Sequence, residues 1–411
     1  MTMENIIDRA NIHAAVLAVE RNKGAPGIDG LTTLQLRPLL SQHWLSIQGK
    51  LLEGEYRPSP IRQKLIPKDG GGERQLGIPT VLDRMVQQAV AQQLCLHFDP
   101  HFSRQSYGYR PGRSAQQAVR LARDFVREGK TWMIDLDISK FFDHVNHDIL
   151  MTLIGKRVRD KPTLKLIGSF LRAPMMIDGK RHKRSEGTPQ GGPLSPLLAN
   201  IYLDPLDKEL ERRGLSFVRY ADDCNIFVET EAEAVKIYEE ITAWIEAKLR
   251  LKINRDKSGT GRPWERKFLG FTITESVTIV PAKKALEKFK DRVRELWNAR
   301  QSKTSTQLRD QWALYLRGWY GYFRLNEEEW IFKKLDRWIR RHIRKCFWQR
   351  WHSPQGRLRH LRQLGVKKKM LSTSRSSRSP WRLAKSPAMH AALSNKVLRK
   401  YGFPCLLDLS G

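Results

Sequence analysis

The chain is poor in cysteine, comparatively poor in acidic residues and without a long apolar run, and each shortage removes a class of protein. Four cysteines occur in 411 residues: Cys95, Cys224, Cys346 and Cys405. They lie too far apart for a CxxC unit, which argues against zinc knuckles and a disulfide framework and leaves reduced, structural thiols. No run of about 18 apolar residues is present to span a bilayer, and Met1-Thr2-Met3-Glu4-Asn5 lacks the layout of a secretory leader. A soluble, intracellular protein with no membrane partner is expected. Acidic residues number 43 against 74 lysines and arginines, a formal net charge of +31. That excess goes beyond what solubility requires, so the expected partner is a polyanion, with nucleic acid first. The length allows two or three domains with cores of their own.

Scarce as they are, the acids cluster. Tyr220-Ala221-Asp222-Asp223 sits between Phe217-Val218-Arg219-Tyr220 and Cys224-Asn225-Ile226-Phe227-Val228, β-favouring stretches that read as a hairpin with two aspartates at its tip. Adjacent carboxylates repel one another in a tight turn, a cost that a divalent cation offsets. Taken alone, an Asp-Asp turn is more often simply solvated. A second acidic strand reverses that balance. In residues 131–138, Trp132, Ile134, Leu136 and Ile138 share one face, and Met133, Asp135 and Asp137 share the other. Carboxylates on one face of a buried strand are uncommon unless they ligate something. A site for two metal ions about 3.5 to 4 Å apart draws its carboxylates from separate strands. On this ground either Asp135 or Asp137 could serve.

Around these strands the periodicity predicts helices over 4–22, 33–53, 81–98, 197–210 and 231–250, and strands over 251–257 and 268–273. Residues 57–79 read as a hairpin with a Gly70-Gly71-Gly72 tip, bearing Arg62, Lys64, Lys68 and Arg74. Basic groups on a glycine-tipped flap suit a clamp on phosphates, or else a solvated hairpin. Ser114 is placed to cap the helix that follows the 107–114 loop. In the Gly/Pro-rich segment 186–196 the backbone can approach a base pair or sugar closely, with Gln190 as the polar contact. Composition shifts at Pro281. Beyond it, a helix places Ile331, Leu335, Trp338, Ile339, Ile343, Cys346 and Phe347 inward and Lys333, Lys334, Arg337, Arg340, Arg341, Arg344 and Lys345 outward. That basic face suits a nucleic-acid groove, with Trp319, Tyr320, Tyr322, Trp348 and Trp351 assigned to the core. The tail carries Lys367-Lys368-Lys369 and a Ser/Arg-rich run over 371–380, is low in apolar residues, and is expected to be mobile until bound.

Read in order, the chain presents Ile66-Pro67-Lys68, Leu76-Gly77-Ile78-Pro79, Tyr109-Arg110-Pro111-Gly112-Arg113-Ser114, residues 137–143, Gly187-Thr188-Pro189-Gln190-Gly191, Tyr220-Ala221-Asp222-Asp223, Phe268-Leu269-Gly270 and Arg317-Gly318-Trp319-Tyr320. Any one is weak, but their order resembles that of the reverse transcriptases encoded by group II introns, the intron maturases, from the Gly27 loop to about Trp351. The resemblance implies an α+β right-hand polymerase. An N-terminal extension and fingers hairpin would occupy 1–80, and fingers and palm with an antiparallel palm sheet 81–275. A helical thumb and maturase-specific region would fill 281–360, and a basic DNA-binding tail 361–411.

The resemblance also selects Asp137 over Asp135, because its motif has an aromatic five residues after the metal-binding aspartate, where Phe142 stands. It implies that Asp137 and Asp222 bind two Mg²⁺ ions with Asp223 assisting. Phe142 would exclude ribonucleotides by clash with the 2′-hydroxyl. Lys68 and Arg74 would hold the triphosphate, Gln190 and Gly191 would shape the nucleotide pocket, and Lys257 would assist pyrophosphate departure. Phe268-Leu269-Gly270 would grip the primer end. The RNA- and DNA-binding surface is expected from Arg337, Arg340, Arg341, Arg344, Lys345, Lys367, Lys368 and Lys369. Implied partners are group II intron RNA, target DNA, the primer-template duplex and dNTPs, in a bacterial cytoplasm and on the nucleoid when DNA is bound. The implied activity is RNA-directed DNA polymerisation with help in splicing and retrotransposition. A splicing-only maturase and a related enzyme serving host defence are the alternatives. The last residues, about 50 of them, hold one cysteine and leave no room for the paired-cysteine HNH nuclease of many relatives, so second-strand cleavage is not expected.

Overall fold

The computed structural model describes residues 1–67 and 71–409, so Lys68 and Gly70 lie outside the described residues. The chain divides into two compact units, Met1–Arg262 and Pro263–Gly411.

The first unit is built on a four-stranded antiparallel sheet in the order Ser216–Tyr220, Asp223–Val228, Trp132–Asp137, Gly259–Gly261. The alternation in the sequence is what packs it. Ile134 and Leu136 turn into a core that also takes Phe217 and Ile226, together with apolar side chains of the helices Val81–Phe98, Ser195–Arg212 and Glu231–Leu249. Asp135 and Asp137 are left partly exposed. A second sheet runs Glu73–Ile78, Ile61–Pro67, Met175–Ile177, Lys180–His182, with Ile61–Pro67 parallel to Met175–Ile177. Ser114 caps Ala115–Arg127 as expected, and Gln117 completes the capping box.

Two expectations in this unit change. The helix expected over 4–22 is broken in two, Met3–Ile7 and Arg9–Asn22, because Asp8 leaves the helical conformation and its carboxylate accepts from the amides of Ala10 and Asn11. Residues 251–257 do not form a strand. A single bridge joins Ile253 to Ile138, after which the Asn254 carbonyl accepts from the amides of Lys257 and Ser258 and closes a turn. Pairing resumes at Gly259–Gly261, so the turn chemistry of Asn254 and Asp256 outweighs the β-propensity of their neighbours.

The second unit opens on a two-stranded ribbon, Phe271–Ile273 with Ile279–Pro281. Phe268-Leu269-Gly270 is a tight turn before it and not part of a strand: Leu269 and Gly270 have φ of 51° and 81°, and Phe268 and Phe271 exchange both backbone hydrogen bonds. Helices Lys283–Leu296, Ser305–Phe323 and Glu329–Arg350 pack around Phe289, Trp297, Trp312, Leu316, Ile339 and Ile343. The tail, expected to be mobile, is folded. Helices Pro354–Gln363, Pro387–Ala392 and Asn395–Lys400 bury Leu361, Met389 and Leu398 in the same core, followed by Phe403 and Leu406. Ser379, Ser386 and Ser394 in it, and Ser353 just before it, each accept from a backbone amide at a helix start. Among the described residues no helix is long and apolar enough to cross a membrane.

Candidate active site

The hairpin register sets the carboxylates. Asp137 ends its strand directly opposite Asp223, the first residue of the neighbouring strand, and Tyr220 faces Asp223 across the two-residue turn Ala221-Asp222. Opposite residues on adjacent antiparallel strands present their side chains on one face. Asp222 is half-buried; burial raises its pKa and the charge of Asp137 adds to the rise, while its own backbone amide, Arg74 and Arg219 oppose it. Asp137 and Asp222 therefore repel one another in a partly desolvated place. Asp223 is exposed. Lys257 Nζ stands 3.8 Å from Asp137 Oδ2, a loose ion pair.

A buried polar knot holds the turn. Ala221 has a φ of 58°, the left-handed region that a side chain disfavours. Beneath it, Arg219 Nε and Nη2 donate to the two carboxylate oxygens of Asp207, each at 2.6 Å. Arg219 Nη1 donates to Asn200 Oδ1 at 3.0 Å and to the Ala221 carbonyl at 2.8 Å. Asn200 donates in turn to the Gly108 carbonyl at 2.8 Å. The loop around Gly108 is thereby fixed against the aspartate turn, so closely that a Cβ on Gly108 would fall 2.2 Å from the Ala221 nitrogen. Its next residue, Tyr109, also has a left-handed φ, 57°. Burial raises the pKa of the Tyr109 phenol and Asp222 adds to it, with Arg74 opposing, which sets the phenol within electrostatic reach of both.

A second loop links the remaining candidates. The Gln190 carbonyl accepts from the Gly77 amide at 2.7 Å, and its side-chain oxygen accepts from Arg74 Nε at 2.5 Å. Gly191, with a φ of 126°, lies where a Cβ would be 2.5 Å from the Gly77 carbonyl oxygen. At the start of the loop the Thr188 amide donates to the Phe142 carbonyl at 2.7 Å. Phe142 is buried, edge-on to Phe141. The structure thus gathers Asp137, Asp222, Asp223, Lys257 and Arg74, and ties Gln190, Gly191 and Phe142 to them through one loop.

Elsewhere, in the second unit, Arg337 and Lys367, Lys368 and Lys369 are exposed, and Arg340, Arg341 and Lys345 are half-buried. Arg344 corrects the expected basic face. It is buried under the folded tail, its Nε donating to the Leu393 carbonyl at 3.1 Å and its Nη1 lying 3.3 Å from His390 Nε2, and burial lowers its pKa to about 10. Arg341 also turns to the tail, donating to the Trp381 carbonyl and lying 3.8 Å over its ring.

Sequence reasoning gave no role to Tyr109, Asn200, Asp207 or Arg219. A signal existed for the last three. Arg219 interrupts an apolar strand, and Asn200 and Asp207 stand seven apart on the apolar stripe of a helix, positions where a polar group needs a partner.

Among the described residues no three His, Cys, Asp or Glu side chains form a ready-made metal cage. The donor set nonetheless fits a hard divalent ion of the magnesium kind, which is commonly held by one or two carboxylates and completes its shell with water and substrate phosphates.

Comparison with known proteins falls on the same residues. Residues 66–273 match the reverse transcriptase (RNA-dependent DNA polymerase) family, a span that contains Arg74, Asp137, Phe142, Gln190 and Asp222-Asp223, and residues 286–365 match the group II intron maturase-specific domain. Protein YkfC of Escherichia coli K12 is 34% identical over 277 residues, covering 58% of this chain and 73% of YkfC. The group II intron-encoded protein LtrA of Lactococcus lactis is 40% identical over 171 residues, covering 41% of this chain but only 28% of LtrA. Among solved structures, a partial Cas6-RT-Cas1--Cas2 complex shares 30% identity over 60% of this chain and 42% of that chain, with a TM-score of 0.38. Divalent metal ions are in general use in the matched family. With its paired acidic strands inside the first match and its helical second unit spanning the other, the chain belongs to the reverse transcriptase family and carries a group II intron maturase-specific domain.

Proposed function

We propose that the protein extends a DNA primer on an RNA template with deoxynucleoside triphosphates, and that its second unit binds group II intron RNA to assist splicing and retrotransposition at a DNA target. The observation that carries this reading is the register that sets Asp137 against Asp223 with Asp222 at the adjoining turn. Asp137 and Asp222 hold two Mg²⁺ ions, with Asp223 in support. Ions held there would supply Lewis acidity at the primer 3′-hydroxyl and positive charge opposite the pyrophosphate.

The rest falls to the chain. Arg74, fixed through Nε to Gln190, directs its terminal N–H groups to the triphosphate alongside Lys68. Gln190 and Gly191 shape the nucleotide pocket, and Phe142 lies beneath the sugar and rejects a 2′-hydroxyl. Lys257, loosely paired with Asp137, supplies positive charge to the leaving pyrophosphate. Arg337, Arg340, Lys345, Lys367, Lys368 and Lys369 meet nucleic-acid phosphates; Arg344, being buried, and Arg341, held on Trp381, serve the fold. Functionally the chain divides into extension and fingers hairpin (1–80), fingers and palm (81–275), thumb and maturase region (281–360) and DNA-binding tail (361–411). It works in the bacterial cytoplasm and at the nucleoid when bound to DNA.

Asp222→Asn tests the reading. Mg²⁺-dependent primer extension on an RNA template should fall by about 1,000-fold or more, equivalent to about 4 kcal/mol of barrier, while binding of intron RNA stays within a few-fold. Extension at the wild-type rate overturns it.

A further inference from the structure

Helix Ser305–Phe323 contains two glycines that its own packing does not require. Gly318 and Gly321 are exposed, and a Cβ built on either meets nothing within 4 Å. In an exposed helix interior each is unfavourable relative to alanine. With Leu314, which is 77% exposed, they recur at helical spacing and leave one bare, close-approach face.

An open cavity of about 590 Å³ adjoins that face, where Arg309, Leu314 and Arg317 of the helix meet Lys400 and Tyr401 of the tail. Its one acid, Asp310, is already paired with Arg309 at 2.8 Å. Arg317 and Lys400 have no side-chain partner among the described residues, and Tyr401 is 52% exposed with no other ring stacked on it. Two unspent cations beside an open aromatic ring match the two halves of a nucleotide, phosphate and base. A peptide would leave the cations unmatched unless it were acidic, and a duplex would keep its bases away from the ring.

We infer that this cavity and the glycine face beside it bind an unpaired stretch of RNA, with a phosphate between Arg317 and Lys400, a base against Tyr401 and Leu314, and the strand passing close over Gly318 and Gly321. The inference rests on the RNA-binding role proposed for the second unit and adds where, and in what form, the RNA is held.

The test is fluorescence anisotropy with the full chain and an unstructured RNA of about 12 nucleotides, beside DNA of the same sequence and an RNA hairpin duplex. Tyr401→Ala should weaken the unpaired RNA by about 5- to 150-fold, the worth of one stacked base, and leave the duplex within about twofold. Arg317→Gln should flatten the logarithmic salt dependence by about 0.7, one phosphate contact on a single strand. Gly318→Gln should leave the melting temperature unchanged or higher, since glutamine is the better helix former, yet weaken RNA binding; a purely structural glycine predicts lower stability and normal binding. Loss on RNA, with or without loss on DNA, supports the site, and loss on DNA alone overturns RNA as its occupant. If the wild-type chain binds RNA and all three variants match it, this inference fails alone. If the wild-type chain binds no RNA, both readings fall.

Discussion

Replacing Arg219 with methionine, alone and together with Asp207→Leu, separates holding a carboxylate in place from holding the fold together. Arg219→Met keeps an unbranched apolar stem and removes a guanidinium that, like its partner, is 0% exposed. The bonds to both Asp207 oxygens, to Asn200 and to the Ala221 carbonyl go with it. Asp207, whose pKa burial already raises against the pull of Arg219, becomes a lone buried carboxylate. Breaking such a pair costs about 3–5 kcal/mol. Because the orphaned Asp207 holds its proton in the native state to higher pH than in the unfolded chain, the deficit grows as pH rises above the ordinary carboxylate range and shrinks in acid.

The paired variant removes the orphan charge. Buried ion pairs replaced as a unit by apolar residues are often neutral, so urea unfolding should place the double variant within about 2 kcal/mol of wild type, the remainder reflecting the donor that Asn200 has lost. What does not return is the hydrogen bond to the Ala221 carbonyl. A displacement of about 1 Å at a reacting group costs on the order of 100-fold in rate. Both variants should therefore extend a primer with kcat about 100-fold below wild type and KM for dNTP changed only a few-fold. A double variant that regains both stability and kcat refutes the positioning role and leaves the knot purely structural.

Other outcomes follow from single residues. Asp204 keeps one buried carboxylate oxygen without a hydrogen bond, and burial, with Asp207 adding, raises its pKa to about 6. The native state thus loses stability as pH climbs from about 4 through about 6. Asp204→Asn should melt with wild type near the lower limit and be more stable by up to about 3 kcal/mol above the upper one; a gap that does not change with pH contradicts this. Phe142→Val, chosen to limit the cavity left in the core, should raise incorporation of ribonucleotides relative to deoxynucleotides by at least about tenfold in single-nucleotide extension, and undiminished discrimination places the gate elsewhere. Gly191→Ala, whose methyl would press on the Gly77 carbonyl, should raise KM for dNTP by about tenfold, equivalent to about 1.4 kcal/mol; an unchanged KM would show that the loop yields freely.

The carboxylates were legible because each lies in a pattern that survives folding: alternation in Trp132–Asp137, and a two-residue turn between β-favouring runs at Ala221-Asp222. The knot beneath them was not. A buried polar network is written only as isolated polar residues at apolar positions, and which of Asn200, Asp207 and Arg219 meet depends on how a helix lies across a sheet. Arg344 failed for a related reason. Helical periodicity distinguishes an inner face from an outer one, whereas the tail covers part of the polar face, leaving Arg344 bonded to Leu393 and beside His390. The tail itself was misjudged by composition. Its apolar residues are few, but Met389, Leu398, Phe403 and Leu406 are spaced so that each short segment seats at least one of them, and the serines between supply the caps.

The conformational cost of the site falls on neighbours of the carboxylates and not on the carboxylates themselves. Tyr109, Lys140 and Ala221 have φ of 57°, 44° and 58°. Ala221 precedes Asp222 in the turn, Lys140 follows Asp137 by three residues, and Tyr109 lies within electrostatic reach of Asp222. A left-handed residue with a side chain costs about 1–2 kcal/mol, so each of the three carries strain that local bonds must offset. Those bonds are identifiable: Arg219 on the Ala221 carbonyl, Asn200 on the carbonyl of Gly108 beside Tyr109, and the Asp143 amide on the Lys140 carbonyl. Knot and turn are therefore two halves of one arrangement. Glycine at position 221 would remove the strain but also widen the set of turns open to the chain, whereas alanine under tension against Arg219 leaves one. That is why losing the arginine should appear in the rate of the chemical step, for which Asp222 is proposed, and hardly in nucleotide affinity, the part proposed for Arg74 and the Gln190 loop.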